Sequence, residues 1–313
     1  MRIAFVKTIL KLAEKDKNLY LLTGDLGFSV FEEFKKKFSD RFINCGIAEQ
    51  NMIGVAAGLA MSGKKVIVYS IIPFVTMRCF EQVRNDICLQ NLDVKIVGVG
   101  GGMSYGQQGL THYAIDDIAI MRSLSNIRII VPADPIETEL AVESMIKING
   151  PVYLRLGKSK EENIYLKPFN FKIGEIYEIR KGKDIVIFSV GPIIKNIIEA
   201  VEVLEKKMKV SFKIISVSTI KPINKKSIIA AVKNARAIFT IEEHILRGGL
   251  GEIIAIIMAE SGLGNKLFKS IGIKDSFLKI VGDQKYLREK NGLSPEKIKK
   301  TIEKEWLSKI NIN

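Results

Sequence analysis

Cysteine, histidine and tryptophan are scarce in this chain of 313 residues, which contains three, two and one of them. The three cysteines, at positions 45, 79 and 88, form no CxxC pair and lie in apolar segments, and His112 and His244 have no adjacent acidic or thiol cluster. Such spacing matches neither a zinc motif nor a disulfide framework. We therefore expect no metal site built by this chain alone, and three buried thiols in a reducing compartment.

Long apolar runs and nucleotide-binding loops are also missing. No apolar run approaches the roughly 20 residues that cross a bilayer, and the first segment, MRIAFVKTILKLAEKDKNLY, carries charges throughout, unlike a signal peptide. The sequence has no GK[ST] motif, and GVGGGM ends in methionine where a dinucleotide-binding loop needs its third glycine. These features predict a cytoplasmic protein without a membrane span or a P-loop.

The charge is unbalanced, because 48 Lys and Arg stand against 34 Asp and Glu and give a net charge of +14. The lysines are scattered along the chain, and the densest cluster is only Lys35–Lys37. No basic stretch alternates with aromatic residues in the manner of a face that binds single-stranded nucleic acid. We expect no nucleic-acid partner, and we interpret the charge as a surface that favours the approach of anionic substrates such as sugar phosphates.

Short β-branched runs alternate with helical stretches, which predicts parallel sheets covered by helices on both faces. Expected strands of the first half are 19–22, 42–44, 66–71, 94–99, 127–131 and 152–156, with helices near 29–38, 48–62, 74–90, 115–122 and 135–148. Those of the second half are strands 184–190, 210–217 and 237–241, with helices 193–208, 224–234 and 249–260. We predict two parallel-sheet-based α/β domains, 1–160 and 184–313, joined by a polar linker, 161–183.

Six segments resemble the transketolase family and occur in the order that the family has. They are GDLGFS (24–29), NCGIAEQNMIGVAAGLA (44–60), FVTMRCFEQVRNDI (74–87), GLTHYAIDDIAIMRSLSNIRIIVPADPIE (109–137), VYLRLGK (152–158) and TIEEHILRGGLGE (240–252). The chain is especially similar to the C-terminal subunit of the split form, in which the enzyme is divided between two polypeptides. This resemblance implies a pyrimidine-binding domain for thiamine diphosphate, followed by a transketolase C-terminal domain.

Glu49 opens a helix whose other residues are mostly small or apolar, and the local sequence offers it no cationic partner. A glutamate at a helix start can simply be stabilised by the helix dipole. The resemblance implies instead that Glu49 is catalytic, because the family's carboxylate binds the cofactor's aminopyrimidine and favours the imino form that takes the thiazolium C2 proton. Gly54 and Gly58 keep the helix surface flat, which fits a subunit interface or close packing inside the domain.

The resemblance also assigns residues to the cofactor and to the substrate. The guanidinium of Arg155 is expected to hold the acceptor's phosphate, because its planar fork matches oxyanions. Ordinary structural roles remain the alternatives for Phe74 and His112, and Asp25 can equally cap a turn. The expected cofactor contacts are Glu49, Phe74, Ile71, Met77 and Asp25, and the expected substrate contacts are Ser29, Gln108, Arg155 and His112, of which His112 is also catalytic.

Two positions depart from the family pattern. Gln108 replaces an acidic residue that contacts the donor hydroxyl, and Gly100 falls where the family has a second active-site histidine. An amide donates hydrogen bonds as well as accepting them, whereas a carboxylate only accepts. The general reaction survives these changes, but the sugar substrates stay open.

The diphosphate half of the cofactor site is missing, since GDLG is not the family's metal-binding GDG motif and nothing else supplies hard oxygen ligands. We expect Mg²⁺ and the diphosphate to be held by an N-terminal partner subunit, in a heterotetramer built on a homodimer of this chain. The expected reaction moves a two-carbon ketol unit from a ketose phosphate to an aldose phosphate, only with that partner. The alternatives are an enzyme like deoxyxylulose-phosphate synthase, the beta subunit of a 2-oxo-acid dehydrogenase, and a non-catalytic assembly subunit.

Overall fold

The computed structural model describes residues 1–27, 29–158 and 161–310, in which twelve β-strands form two sheets. The predicted domain boundary at residue 160 lies outside the described residues. The strands are β1 (Leu19–Thr23), β2 (Phe42–Asn44), β3 (Lys65–Ile71), β4 (Val94–Val99), β5 (Arg128–Ile130), β6 (Val152–Leu156), β7 (Tyr177–Arg180), β8 (Ile185–Val190), β9 (Phe212–Ser216), β10 (Thr219–Lys221), β11 (Ala237–Ile245) and β12 (Leu267–Ile273).

Helices lie between and beside these strands. They are α1 (Arg2–Lys15), α2 (Glu32–Lys37), α3 (Glu49–Met61), α4 (Ile72–Thr76), α5 (Phe80–Gln82), α6 (Asp117–Arg122), α7 (Pro135–Ile146), α8 (Ile194–Met208), α9 (Lys225–Val232), α10 (Leu250–Glu260), α11 (Gln284–Lys290) and α12 (Pro295–Ile310). Single 3-10 turns occur at Ser39–Arg41, Gly106–Gln108, Leu110–His112 and Gly191–Ile193, and a π-helical turn at Val83–Cys88.

The first sheet has seven strands in the order β10-β5-β6-β4-β3-β1-β2. All neighbours pair in parallel except β10, which runs antiparallel to β5. The central strands β3 and β4 are buried almost throughout, as expected where helices cover both faces. The strand β10 was not predicted, because it has three residues, stops before Pro222 and comes from the second half of the sequence.

The second sheet has five strands in the order β12-β11-β8-β9-β7, with β7 antiparallel to β9 and the rest parallel. The predicted linker, 161–183, therefore contains an edge strand, β7, whose three half-buried residues and one exposed residue give too weak a pattern to be recognised. Edge strand β12 was also missed, because LFKSIGI mixes lysine, serine and glycine with its apolar residues. Two α/β domains built on parallel sheets are confirmed.

The helix predicted at 74–90 is broken into α4, α5 and the π-helical turn. The apolar spacing continues across the break, so the sequence does not reveal it. Met77 and Arg78 are exposed in this interruption, which lies one short helix, α4, beyond the end of β3. Such π-helical irregularities are frequent at functional sites.

The two halves share a continuous core. One cluster of buried side chains joins Leu22 and Ile53 of the first half to Phe188 and Ile238 of the second. Polar contacts cross the same boundary, since the backbone N–H of Ala119 on α6 donates to His244 Nε2 at 3.4 Å. The second half is thus packed against the first rather than tethered to it.

Cys79 and Cys88 are buried and Cys45 is half-buried. Burial raises the pKa of Cys79 to about 12 and that of Cys88 to about 11, so both remain protonated thiols at neutral pH. Among the helices that the structure describes, none is both long and apolar enough to cross a membrane.

Candidate cofactor and substrate site

Glu49 lies at the start of α3, between the carboxyl ends of β1 and β3. Its side chain is 1% exposed. The hydroxyl of Ser70, on β3, donates to Glu49 Oε1 at 3.2 Å. A Cβ at Gly24, just after β1, would lie 3.1 Å from the same oxygen, so glycine leaves room for the carboxylate. The fold therefore places a buried carboxylate at the end of a parallel sheet, where α/β proteins bind ligands.

Arg78 pairs with this carboxylate, with its Nη1 at 2.5 Å from Glu49 Oε2. The local sequence offers Glu49 no cation, but the folded chain supplies one. The partner is 29 residues away in sequence, in the break between α4 and α5, and only the folded chain brings the two together. A carboxylate this buried needs such compensation, because an unpaired charge in the interior is strongly destabilising.

Phe74 and His112 lie beside the same arginine. The guanidinium carbon of Arg78 stands 4.1 Å from the centroid of the Phe74 ring, and the Phe74 and His112 rings meet edge to face with centroids 5.2 Å apart. Ile71 is buried and Met77 is 36% exposed on the flanking turns. The structure thus brings Glu49, Phe74 and His112, predicted from separate motifs, into one cluster around Arg78.

His112 is half-buried in the 3-10 turn Leu110–His112. Its Nδ1 lies 3.0 Å from the Thr111 hydroxyl. Burial lowers the pKa of His112 below 6.5, and the positive charges of Lys158 and Arg78 lower it further. The imidazole is therefore neutral at pH 7, with Nε2 left for a ligand, and a neutral imidazole can accept a proton or share one.

Tyr105 occupies the space over Gly100. The glycine has a φ of +99°, and a Cβ there would overlap the Tyr105 ring. No side chain, a histidine included, fits at position 100 while this ring is in place. Tyr105 itself contacts His112, with ring centroids 5.8 Å apart, and Lys158 Nζ lies 4.5 Å from the Tyr105 centroid. Sequence reasoning missed both residues, although a glycine in place of a side chain is a signal that another group fills its space.

Asp25 and Ser29 lie in the turn after β1. Asp25 has a φ of +54°, its backbone N–H donates to Asn44 Oδ1 at 3.0 Å, and Asn44 Nδ2 donates back to Asp25 Oδ1 at 2.9 Å. These reciprocal bonds match the turn-capping alternative for Asp25. Ser29 is exposed with a φ of +59°, and its backbone N–H donates to the carboxylate of Glu32.

The placement of Arg155 does not fit its predicted contact with a substrate phosphate. The side chain is 4% exposed, with Nε donating to Asp117 Oδ2 at 2.8 Å and Nη2 donating to the Ala114 carbonyl at 2.6 Å. Its motif indicated an oxyanion contact, but the oxyanion that it meets is a carboxylate of its own chain. Gln108, in contrast, is exposed at the end of its 3-10 turn.

The residues present fit the aminopyrimidine half of thiamine diphosphate. A buried carboxylate at Glu49 is an acceptor for a ring N–H, and Phe74 and Ile71 offer apolar surface to a flat heterocycle. The metal-binding half does not fit this chain. Within residues 1–27, 29–158 and 161–310, no group of three or more His, Cys, Asp or Glu side chains is arranged to hold a metal ion.

Comparison with known families assigns both halves of the chain. Residues 1–162 match the family model of the transketolase pyrimidine binding domain, and residues 174–298 match that of the transketolase C-terminal domain. The two models together cover most of the sequence, in the order that the six motifs predict.

Relatives match this chain almost end to end. An apulose-4-phosphate transketolase subunit of Actinobacillus succinogenes is 36% identical over 266 residues, which are 85% of this chain and 85% of that one. A putative transketolase C-terminal section of Methanocaldococcus jannaschii is 37% identical over 97% of this chain and 96% of its own. A solved structure described as a split gene transketolase, inactive beta4 tetramer, superposes with a TM-score of 0.88 at 33% identity and covers 97% of both chains. The chain therefore belongs to the transketolase family and is a transferase subunit of its split form.

Proposed function

We propose that this chain provides the aminopyrimidine-binding half of a thiamine-diphosphate-dependent transketolase and acts only with a partner that holds the diphosphate. The observation that carries the proposal is the cluster of Glu49, Phe74 and His112, which places an acceptor, a stacking surface and a neutral imidazole within one site. The family membership supports the cofactor, and the relatives described as subunits of divided enzymes support the division of labour.

Each residue of this cluster has a separate task in the proposed reaction. Thiamine diphosphate, when bound, would supply a thiazolium ring that stabilises negative charge on the transferred two-carbon unit. Glu49 accepts the hydrogen bond of the aminopyrimidine and fixes its orientation, while Phe74 packs on its face. Because the Thr111 hydroxyl lies against Nδ1 of His112, Nε2 is the atom that accepts or returns a proton at a substrate hydroxyl.

Lys158 replaces Arg155 as the proposed contact for an anionic substrate. It is half-buried above Tyr105 and close enough to His112 for its charge to affect that imidazole. A cation at this distance attracts a sugar phosphate whose carbonyl end reaches the histidine. The net charge of +14 acts in the same direction at longer range.

The exposed face of α3 is proposed as a subunit contact. A Cβ at Gly54 or Gly58 would meet no atom within 4 Å, so another backbone can approach the helix closely there. Met61 continues this face with 60% of its surface exposed. The tetrameric relative supports association between copies of such chains, and we propose a heterotetramer in which a homodimer of this chain carries two partner subunits.

Reconstitution tests the proposal. The chain, its N-terminal partner and their mixture are assayed with thiamine diphosphate and Mg²⁺, using a ketose phosphate or pyruvate as donor and following product and CO2. We expect ketol transfer without CO2 release, and only from the mixture. Carbon dioxide from pyruvate would indicate a deoxyxylulose-phosphate-synthase-like or 2-oxo-acid dehydrogenase activity. A mixture that binds the partner but transfers nothing would indicate an assembly subunit, and full activity of this chain alone would contradict the division of the site.

A further inference from the structure

Arg78 makes both contacts that the proposed function gives to the aminopyrimidine ring. Its Nη1 lies 2.5 Å from Glu49 Oε2, and its guanidinium carbon lies 4.1 Å from the Phe74 centroid. A guanidinium is flat, carries N–H donors at its edge and stacks on aromatic faces. An aminopyrimidine that donates to Glu49 and stacks on Phe74 needs the same space.

We propose that Arg78 is an internal stand-in for the aminopyrimidine, which holds the pocket closed until the cofactor displaces it. This inference rests on the proposed function and adds a competitor for the cofactor from within the chain. The two occupants exclude each other, because Glu49 Oε2 and the Phe74 face can be satisfied by one of them at a time.

The local structure makes the exchange feasible. The Arg78 side chain is 41% exposed, whereas Glu49 is 1% exposed. Because Arg78 lies in the break between α4 and α5, rotation of its side chain reaches solvent without moving a helix. The cation regains water when it leaves, while the carboxylate it leaves behind must find a new partner at once. Ser70 holds the other carboxylate oxygen at 3.2 Å and keeps the acceptor oriented during the exchange.

The competition predicts a penalty on cofactor affinity. The apparent dissociation constant equals the intrinsic one divided by the fraction of chains whose pocket is open. Removal of the guanidinium by Arg78→Met therefore tightens thiamine diphosphate binding to the assembled complex, by about fivefold or more. Isothermal titration of the chain–partner complex with thiamine diphosphate at fixed Mg²⁺ measures this effect.

Arg84→Met is the matched control. Arg84 lies on the π-helical turn that follows, is exposed, and donates to its neighbour Asn85 at 2.8 Å. This substitution removes the same charge six positions along the chain without touching the cluster, and we expect the dissociation constant to change by less than about twofold.

Thermal unfolding of the chain without cofactor gives an independent readout. Arg78→Met leaves Glu49 unpaired, so we expect the Tm of the free chain to fall by about 2 to 4 °C or more. The double variant Arg78→Met, Glu49→Gln removes the orphaned charge and regains part of that loss. If Arg78→Met does not fold, Arg78→Lys keeps a charge with a poorer stack and is expected to tighten cofactor binding by a smaller factor.

Three outcomes separate the possibilities. Tighter binding by Arg78→Met, with Arg84→Met unchanged, supports the stand-in. Unchanged or weaker binding by Arg78→Met, or by Arg78→Lys in its place, shows that Arg78 stays in the loaded site and overturns this inference alone. If the unsubstituted complex binds no thiamine diphosphate, the proposed function fails and the stand-in fails with it.

Discussion

Two carboxylate–arginine pairs in this chain share the same chemistry but have opposite surroundings. Glu49 and Asp117 are both buried, at 1% and 0% exposure, yet Arg78 is 41% exposed and Arg155 only 4%. Asp117 and Arg155, the inner pair, also make further polar contacts inside the protein, since Arg155 donates to the Ala114 carbonyl and the Tyr153 hydroxyl donates to Asp117 Oδ2 at 2.6 Å. The other carboxylate oxygen, Asp117 Oδ1, is buried without a hydrogen-bond partner among the described residues. In the outer pair, Glu49 and Arg78, the arginine side chain is in contact with solvent.

The difference indicates which pair builds the fold and which serves the site. An ion pair whose two side chains are both buried cannot be opened without leaving charges in the interior. A pair whose arginine already contacts water can be separated with a smaller loss of free energy. In that case only the buried carboxylate needs a new hydrogen-bond donor. Arg155 is therefore enclosed in the interior of this structure, whereas the Arg78 side chain reaches the surface beside Glu49.

The largest expected effect concerns the inner pair. Asp117→Asn leaves Arg155 buried without its counter-charge, and we expect the free energy of unfolding to fall by about 3 to 5 kcal/mol. Urea unfolding of the full chain measures it. Asp40→Asn, at a carboxylate 79% exposed and 4.0 Å from its arginine, is the control and is expected to cost less than about 0.5 kcal/mol. Equal losses in the two variants would show that burial does not make the Asp117–Arg155 pair more important for stability than a pair whose carboxylate is exposed.

The second prediction concerns the carboxylate of the outer pair. Glu49→Gln keeps the shape and an acceptor oxygen but removes the charge, so we expect kcat of the reconstituted enzyme to fall about 100-fold or more. Stability is expected to change by less than about 1 kcal/mol, since the amide still accepts from Arg78. Steady-state assays and urea unfolding of the same preparation provide the two numbers. An unchanged kcat would remove Glu49 from the catalytic machinery.

The third prediction uses the buried histidine beside the inner pair. Burial lowers the pKa of His244 to about 4, below its ordinary 6.5. Between these values the unfolded chain binds the proton and the folded chain does not, so stability is lost as pH falls from 6.5 towards 4. The loss reaches about 2 kcal/mol at pH 5. His244→Asn should remove this part of the pH dependence.

The comparison with His244→Asn isolates the histidine. Buried Glu137 and Glu242, whose pKa values are raised to about 7 by burial, contribute a slope of opposite sign in both proteins and cancel in the difference. Urea unfolding of the two proteins at pH 7, 6 and 5 gives the difference. Parallel pH profiles would show that His244 is charged in the folded state.

The smallest expected effect concerns Lys158, the proposed contact for a substrate phosphate near His112. Lys158→Met removes the cation above Tyr105, and we expect KM for a phosphorylated acceptor to rise about fivefold with kcat nearly unchanged. An acceptor without phosphate should show no change in KM. Lys167→Met, at an exposed lysine, serves as the control. A rise that is the same for both acceptors would argue against a phosphate contact.

The sequence predicts the fold well where long apolar runs carry it. Strands β4 and β6 lie at the predicted positions, because Val94–Val99 and Val152–Leu156 are buried throughout and mostly apolar. The sequence fails to predict three of the four edge strands of the described sheets, since β7, β10 and β12 have short or mixed sequences. The fourth edge strand, β2, lies at its predicted position.

The candidate site shows the same contrast between residues in local motifs and residues whose contacts depend on distant parts of the chain. Glu49, Phe74 and His112 could be predicted as candidates because each lies in a motif of local residues, and the structure places them close together. Arg78 was missed because its partner lies 29 residues away, and Lys158 because its contact depends on the ring that covers Gly100. The contacts of Arg155 with Asp117 and the Ala114 carbonyl could not be predicted, because a motif gives the residue type but not the direction in which the side chain points.

Strand β10 belongs to the first sheet but comes from the second half of the sequence, which limits where the chain can be divided. Thr219–Lys221 follow the junction between the domains, yet they complete the first sheet by pairing with β5. A fragment that stops near residue 160 would lack β10, so β5 would become an edge strand with unpaired backbone groups. Such an edge can pair with strands of other molecules. Chimaeras that exchange C-terminal domains among such enzymes therefore inherit a foreign border strand in the cofactor domain, and compatibility at these three residues limits which exchanges fold.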